Sequence, residues 1–161
     1  MADDQRSLEI EKIKLRPTCV DDVAVYFEWV SDEVVRQQSF HSEPILWEDH
    51  QRWFKEKLLQ QSCFMFVMEA DQLPVGQIRF DIENNIAYID YSLEKAVRGK
   101  HWGAVLVSQG IELLSNNRNL IFQAEVKQEN IASAKIFLKL GFKEKSHNNL
   151  ETRLFQLSLT T

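Results

Sequence analysis

The sequence predicts one mixed domain of the α/β (α+β) class, in which a single, largely antiparallel sheet of about seven strands is flanked by four helices. Two observations carry this prediction. Segments with the alternating pattern of strands and segments with the 3.6-residue pattern of helices follow one another in the order βααβββαβαββ. The 161 residues contain no internal repeat or linker, and this length suits one domain with a sizeable core.

Composition and charge argue against several classes of function. The net charge of −5, from 19 basic and 24 acidic residues, disfavours nucleic acid as a partner, because phosphate contacts need a basic surface. No apolar run approaches the ~20 residues that span a bilayer, so we expect no membrane partner. Cys19 and Cys63 have neither metal nor redox spacing, which predicts no metal site and reduced thiols in a cytoplasmic protein. A homodimer stays open.

Each element follows from a local pattern. Residues 1–9 are polar and acidic, unlike a signal peptide, and we expect a flexible tail before a single domain at 10–161. Residues 31–44 are predicted as a loop, because Ser, Asp, His and Pro interrupt any period. The predicted strands are residues 10–15, 63–68, 75–82, 86–93, 120–126, 142–145 and 152–159; the predicted helices are residues 18–29, 47–59, 102–114 and 130–140.

Turn and cap residues support these boundaries. Thr18 and Asp21 have the spacing of a capping pair at the start of the first helix. Asn130 is the predicted N-cap of the last helix, and Gly141 takes its C-terminal cap position.

The third and fourth strands predict a hairpin. If Asn84 and Asn85 form a two-residue loop, Arg79 lies directly opposite Asp90. One face of the hairpin is then apolar and the other polar. The polar face carries Gln77, Arg79, Asp81, Tyr88, Asp90 and Ser92. This face either forms part of a site or is simply exposed to solvent, as one side of an antiparallel sheet often is.

The sequence is organised around residues 86–104, where a strand runs into a basic, glycine-bearing turn and a helix begins at once. Free N–H groups in a first helical turn and the helix dipole both favour an anion such as phosphate, and glycine lets the backbone approach it closely. The alternative is a basic turn before an ordinary surface helix. The turn and the helix start comprise Arg98, Gly99, Lys100, His101, Trp102, Gly103 and Ala104.

Arg98, His101 and Gly103 resemble the pyrophosphate loop of the GNAT N-acetyltransferase superfamily, with His101 where the family usually has its first glycine. A second resemblance lies downstream, in Glu125-Val126-Lys127, Asn130, Phe137 and Gly141-Phe142. Together they cover about residues 13–159. The resemblance implies the GNAT fold, with strands four and five splayed apart, and acetyl-CoA as the cosubstrate.

The resemblance also implies how acetyl-CoA would be held. Pantetheine would lie in the splay and pair with the backbone of Tyr91, Ser92 and Leu93, where a strand N–H would polarise the thioester carbonyl. Tyr91 and Leu93 are equally consistent with core packing. Asn130 and Phe137 complete the expected cofactor-binding set. The family often has a tyrosine at the position of Phe137 to protonate the leaving thiolate. Phe137 cannot do so, which leaves Tyr91 or water.

An amine must be neutral to attack a thioester, so a base or a chain of waters has to take a proton. By resemblance the first choice is Glu125, at the end of strand five beside the splay; Asp90 and His41 are reserves. Glu125 is otherwise an ordinary carboxylate at a strand end, and His41 a solvated loop histidine.

The expected acceptor is a small-molecule amine. Several segments, including residues 76–81, resemble the branch that acetylates nucleotide-linked amino sugars, as in pseudaminic-acid pathways. Phe40 and Trp47 could stack on a base, while Arg36 or Arg79 could meet a diphosphate. The expected substrate-binding residues are Arg36, Phe40, His41, Trp47, Arg79 and Asp90. The alternatives are an acetyltransferase of ribosomal-protein or small-molecule amines and a CoA-binding module without catalysis.

Overall fold

A computed structural model describes residues 12–116 and 118–159, so the expected tail at residues 1–9 lies outside the described residues. Its strands form one seven-stranded sheet in the order β1-β2-β3-β4-β5-β7-β6. The strands are β1 (Ile13–Pro17), β2 (Cys63–Ala70), β3 (Leu73–Glu83), β4 (Ile86–Leu93), β5 (Ile121–Lys127), β6 (Lys143–Lys145) and β7 (Thr152–Ser158). The helices are α1 (Val23–Ser31), α2 (Glu33–Gln38), α3 (Trp47–Leu59), α4 (Trp102–Ser115) and α5 (Ile131–Lys139).

The sheet is antiparallel except at one junction. β4 and β5 run parallel, whereas the other neighbouring pairs are antiparallel. This arrangement confirms the predicted mixed, largely antiparallel sheet. The last strand lies between β5 and β6, so the final hairpin folds back into the sheet.

The hairpin of β3 and β4 has the predicted register. Asn84 and Asn85 adopt left-handed φ angles of 52° and 65°, which a two-residue hairpin loop of the I′ type requires and which asparagine tolerates. Arg79 therefore pairs with Asp90 across the two strands, as predicted.

Helices cover both faces of the sheet. On the apolar face, α4 and α5 enclose a core that includes Ile78, Phe80, Phe122 and Phe155. On the polar face, α1 and α3 pack with Tyr26, Trp29 and Phe54 against Met65 and Val67 of β2. Val67 lies opposite Gln77, so this second cluster shares a face with the polar residues of β3. Solvent exposure is thus the wrong interpretation of that face at Gln77, which is only 6% exposed.

The described residues contain five α-helices rather than the predicted four, because α2 lies within the segment 31–44 that was predicted as a loop. A six-residue helix is too short to show a period. It forms because the Asp32 side chain accepts hydrogen bonds from the N–H groups of Val34 (3.0 Å) and Val35 (3.2 Å).

The start of the first helical segment also differs from its prediction. Asp22, not Asp21, caps this segment, which opens with a 3-10 turn at Val20–Asp22. The Asp22 carboxylate accepts the N–H of Cys19 at 2.8 Å. Thr18 instead shares a 2.8 Å hydrogen bond with the hydroxyl of Tyr26.

We expect Asp22→Asn to destabilise the fold. The buried Asp22 carboxylate accepts two hydrogen bonds of 2.8 Å from Arg16. Burial opposes its ionisation, but the hydrogen bonds from Arg16 and Cys19 outweigh burial and hold the pKa of Asp22 below its usual value. Loss of the charge should lower the free energy of unfolding at pH 7 by about 2 kcal/mol, measured by urea denaturation.

The effect should depend on pH. Because the folded-state pKa is depressed, the charge of Asp22 contributes stability above the unfolded carboxyl pKa of about 3.9, and the contribution disappears as the pH falls. The stability difference between wild type and Asp22→Asn should therefore shrink between about pH 5 and pH 3. Glu144→Gln is the control, since Glu144 pairs with Arg153 at the surface. A difference that persists undiminished at pH 3 would contradict the assignment.

Candidate active site

β4 and β5 separate part of the way along the sheet. Their ladder ends at the pair of Tyr88 and Gln123, whereas β4 continues to Leu93 and β5 to Lys127. Side chains two residues apart on a strand point to the same face. Asp90 and Glu125, two positions beyond the last pair, therefore face the same side of the sheet across the gap.

A cavity of about 1020 Å³ passes through this gap. It joins the loop before α4 to the polar face of the sheet beneath α1, α2 and α3. Most of the predicted site residues line it, namely Arg36, Phe40, His41, Arg79, Asp90, Tyr91, Ser92, Leu93, Arg98, Gly99, His101, Trp102, Gly103, Ala104, Glu125, Asn130 and Phe137.

Lys100 and Trp47 are not among the residues that line the cavity. Trp47 begins α3 and packs against the rings of Phe27 and His50, with centroids 5.0 and 5.9 Å away. His50 also lines the cavity, although it was not among the predicted site residues. Its Nε2 is hydrogen-bonded to the carbonyl of Val23 at 2.9 Å. Burial lowers the pKa of His50.

The loop before α4 contains two left-handed residues, Gly99 with φ 79° and His101 with φ 64°. His101 is the N-cap of α4, so a histidine holds a conformation that glycine adopts without cost. Gly103 has a different constraint: a Cβ there would lie 2.7 Å from Cδ1 of Ile136. The glycine at 103 therefore permits close packing of α4 on α5.

Arg98 links this loop to the opposite side of the cavity. Its Nη2 lies 2.9 Å from Oδ1 of Asp32, and its Nε donates to the carbonyl of Leu93 at 3.2 Å. Burial would raise the pKa of Asp32, but Arg98 and the N–H groups that Asp32 caps lower it overall. Arg98 thus connects the end of β4 to the start of α2.

Arg36 organises the segment after α2. Its guanidinium donates to the carbonyls of Val30 (2.6 Å) and His41 (2.8 Å), and to the hydroxyl of Ser39 (3.1 Å). Phe40, which this segment carries, is 56% exposed. Neither Arg36 nor its acceptors were expected to have this structural role.

Arg79 belongs to a charge network on the polar face. It lies 2.9 Å from Asp81 and 3.8 Å from Asp90, and its guanidinium stands 5.1 Å from the centroid of the Trp53 ring. Burial would lower the pKa of Arg79, but Asp90 and Asp81 raise it overall. Lys57 also reaches Asp81, at 2.9 Å.

Glu125 is the predicted base, and two unpredicted residues contact it. Thr152 donates its hydroxyl to Oε1 of Glu125 at 2.8 Å, and Nε2 of His147 lies 3.3 Å from the same oxygen. The Glu125 side chain remains 36% exposed. Neither His147 nor Thr152 belongs to a recognisable motif. The pairing of β5 with β7 brings Thr152 to Glu125, and His147 reaches it from the connection between β6 and β7.

Tyr91 places a hydroxyl beside the splay. Its phenol is 2.7 Å from Oγ of Ser133, and both residues line the cavity. Burial raises the pKa of Tyr91, although the bond to Ser133 works against that, so the phenol is protonated at neutral pH. Phe137 is only 1% exposed and packs against the rings of Phe142 and Phe155.

Neither a metal centre nor a reactive thiol accompanies the cavity. Residues 12–116 and 118–159 contain no group of three His, Cys, Asp or Glu side chains that could hold a metal ion. Burial, helped by Asp81, raises the pKa of Cys63 to about 12, which makes it a poor nucleophile. Within the same described ranges, no helix could cross a bilayer.

Comparisons with known proteins agree with this geometry. A family model described as an acetyltransferase (GNAT) domain matches residues 12–143. An uncharacterized protein of Methanocaldococcus jannaschii is 24% identical over 155 residues, which are 94% of this chain and 32% of that protein. The chain thus spans about a third of the length of this curated relative.

Solved structures have the same fold. A domain from Methanocaldococcus jannaschii matches with a TM-score of 0.80 at 23% identity, over 92% of this chain and 99% of that one. The spermidine N-acetyltransferase of Vibrio cholerae, solved with CoA and spermine, matches with a TM-score of 0.78 at 14% identity, over 91% and 94% of the two chains. These matches confirm the expected fold.

We expect His101→Gly to be more stable than His101→Ala. Both variants lose the imidazole, but only glycine relieves the left-handed strain, which costs other residues about 1 kcal/mol. At this chain length such a difference should appear as a melting temperature about 2–4 °C higher for the glycine variant. Thermal unfolding of the two variants without ligand tests this, and an alanine variant of equal or greater stability would contradict it.

Proposed function

Because the chain belongs to the acetyltransferase (GNAT) domain family, we propose that it transfers an acetyl group from acetyl-CoA directly to a primary amine. Membership supports the expected enzyme class, an acyltransferase, and acetyl-CoA as the expected cosubstrate. The observation that carries the proposal is the single cavity through the splay of β4 and β5. It brings the loop before α4 and the carboxylates of Asp90 and Glu125 into one space.

The residues present fit acetyl-CoA. The loop of residues 98–103 leads into the N-terminus of α4, where free N–H groups and the helix dipole favour phosphate. Lys135 and Lys139 of α5 also line the cavity and add positive charge. The edge of β4 beyond Tyr88 has no ladder to β5, so backbone of Tyr91, Ser92 and Leu93 is placed to pair with an amide-bearing arm.

Direct transfer fits the side chains better than a covalent enzyme intermediate. Cys19 does not line the cavity, and the raised pKa of Cys63 keeps it a thiol. Glu125 takes a proton from the acceptor nitrogen, directly or through water, as the new C–N bond forms and the C–S bond breaks. The hydroxyl of Tyr91 can hydrogen-bond the departing sulfur, and a proton from solvent completes the thiol.

The acceptor was expected to be a nucleotide-linked amino sugar. The guanidinium groups of Arg36 and Arg79 favour the alternative, a small-molecule amine, because they already bind other groups of the protein. A diphosphate binds best to an arginine with free, parallel N–H donors. Arg36 gives its donors to carbonyls and a hydroxyl, Arg79 is paired with Asp81 and Asp90, and Trp47 lies outside the lining. The match to a spermidine N-acetyltransferase solved with spermine adds a precedent for an amine acceptor.

A thioester-release assay across acceptor classes tests the function. We expect turnover of acetyl-CoA with at least one small amine in a panel of diamines, amino sugars, a nucleotide-linked amino sugar and N-terminal peptides. Release of CoA with the nucleotide-linked amino sugar alone would support that sugar as the acceptor, as the sequence suggested. Release of CoA with peptides alone would favour an acceptor of the ribosomal-protein type. A rise in melting temperature with acetyl-CoA but no release with any amine would indicate a CoA-binding module without catalysis.

Glu125→Gln should lower kcat by ~100- to 10,000-fold at neutral pH, because glutamine keeps the shape of the side chain but not its basicity. The rate should recover as the pH rises toward the acceptor's own pKa, where a base is needed less. Acetyl-CoA should still raise the melting temperature of the variant, since the cosubstrate site does not depend on this carboxylate.

Glu144→Gln is the matched control for Glu125→Gln. It removes a carboxylate that is paired with Arg153 and does not line the cavity, so kcat should be unchanged. An unaffected rate in Glu125→Gln would indicate that Asp90, His41 or water is the base. If acetyl-CoA no longer raised the melting temperature of the variant, Glu125 would have a structural role.

A further inference from the structure

Glu125 belongs to a three-residue cluster at the junction of β5 and β7. Oγ1 of Thr152 is 2.8 Å from Oε1 of Glu125 and 2.7 Å from Nε2 of His147, which itself lies 3.3 Å from that carboxylate oxygen. Thr152 is buried. Glu125 lines the cavity, whereas Thr152 and His147 do not, so the pair lies behind the carboxylate as seen from the cavity.

The hydrogen atoms in this cluster can be assigned. A carboxylate only accepts hydrogen bonds, so Thr152 gives its one hydroxyl hydrogen to Glu125. Its oxygen can then only accept from His147, which must carry a proton on Nε2. The hydrogen bonds therefore define Nε2 as the imidazole nitrogen that donates to Thr152.

Thr152 and His147 contact one oxygen of the Glu125 carboxylate and not the other. Both contacts go to Oε1 of Glu125. Oε2 has no hydrogen-bond partner among residues 12–116 and 118–159. A carboxylate held in this way cannot rotate freely, and an oriented base is more effective than a mobile one.

We propose that His147 and Thr152 are positioning residues, which hold Glu125 in the orientation in which it accepts the proton of the acceptor amine. This proposal rests on the proposed function of Glu125 as base. His147 donates to Thr152, and Thr152 donates to Oε1 of Glu125, so the two side chains fix the carboxylate through one of its oxygens.

Three variants test the orienting role. His147→Gln keeps an N–H donor toward Thr152, so its kcat should stay within about twofold of wild type. His147→Ala and Thr152→Val lose the orienting hydrogen bonds and should lower kcat about tenfold at every pH, less than the ~100-fold or more that loss of the base costs.

Controls exclude a general loss of structure. Thr152→Ser keeps the hydroxyl and should restore most of the kcat lost in Thr152→Val. Gln156→Leu is the matched control on the same strand, since Gln156 bonds to Gln123 at 2.7 Å and neither residue lines the cavity. Its kcat and pH profile should be those of wild type. The KM for acetyl-CoA should be unchanged in all of these variants, as steady-state rates at varied acetyl-CoA, with the best amine of the acceptor panel saturating, can show.

The failure of this inference differs from the failure of the proposed function. If Glu125→Gln lowers kcat while His147→Ala and Thr152→Val keep the wild-type rate, Glu125 is the base and the positioning proposal is wrong. If Glu125→Gln leaves kcat unchanged, the proposed role of Glu125 is wrong, and the positioning proposal is wrong with it. An equal loss of kcat in Thr152→Ser and Thr152→Val, or in His147→Gln and His147→Ala, would also contradict the positioning role.

Discussion

The structure depends on the early end of the ladder between β4 and β5. Each strand keeps a full antiparallel partner on its outer side, β3 for β4 and β7 for β5, so the sheet stays intact while its centre opens. Backbone groups at an opened edge still need hydrogen-bond partners. An amide-bearing arm can supply them, and the same gap lets a reactive group reach the polar face. One interruption of pairing thus creates both the slot and the route that the proposed function assigns to the cosubstrate and the acceptor.

The second constraint is that the arginine side chains lining the cavity already bind other groups of the protein. Arg98 is paired with Asp32, Arg36 with backbone carbonyls, and Arg79 with two aspartates. Because Asp32 also caps α2, Arg98 ties the loop before α4 to the segment that covers the acceptor side. Many donors of these guanidinium groups therefore hold the walls of the cavity together. The N-terminus of α4 and the lysines of α5 that line the cavity carry positive charge in addition.

Local patterns in the sequence predicted the order of the elements and the register of β3 and β4, because Asn84 and Asn85 specify a hairpin by their own backbone preferences. The predicted loop at 31–44 was wrong at α2, since one capping side chain, Asp32, creates a helix too short for periodicity to reveal. His147 and Thr152 could not be predicted as neighbours of Glu125. Thr152 reaches Glu125 through the pairing of β5 with β7, and His147 reaches it from the connection before β7. Side-chain contacts between such separate segments have no local signature.

The two departures from the family pattern have different physical reasons. His101 adopts a left-handed φ of 64°, which glycine adopts without cost, so the loop carries this cost as strain. Phe137 is buried against Phe142 and Phe155, where a phenolic hydroxyl would need a new partner. Tyr91 packs edge-on against Phe137, with ring centroids 5.9 Å apart, and bonds to Ser133. The structure thus provides a protonated hydroxyl beside the splay from β4 rather than from α5, and the absence of tyrosine at 137 does not remove it.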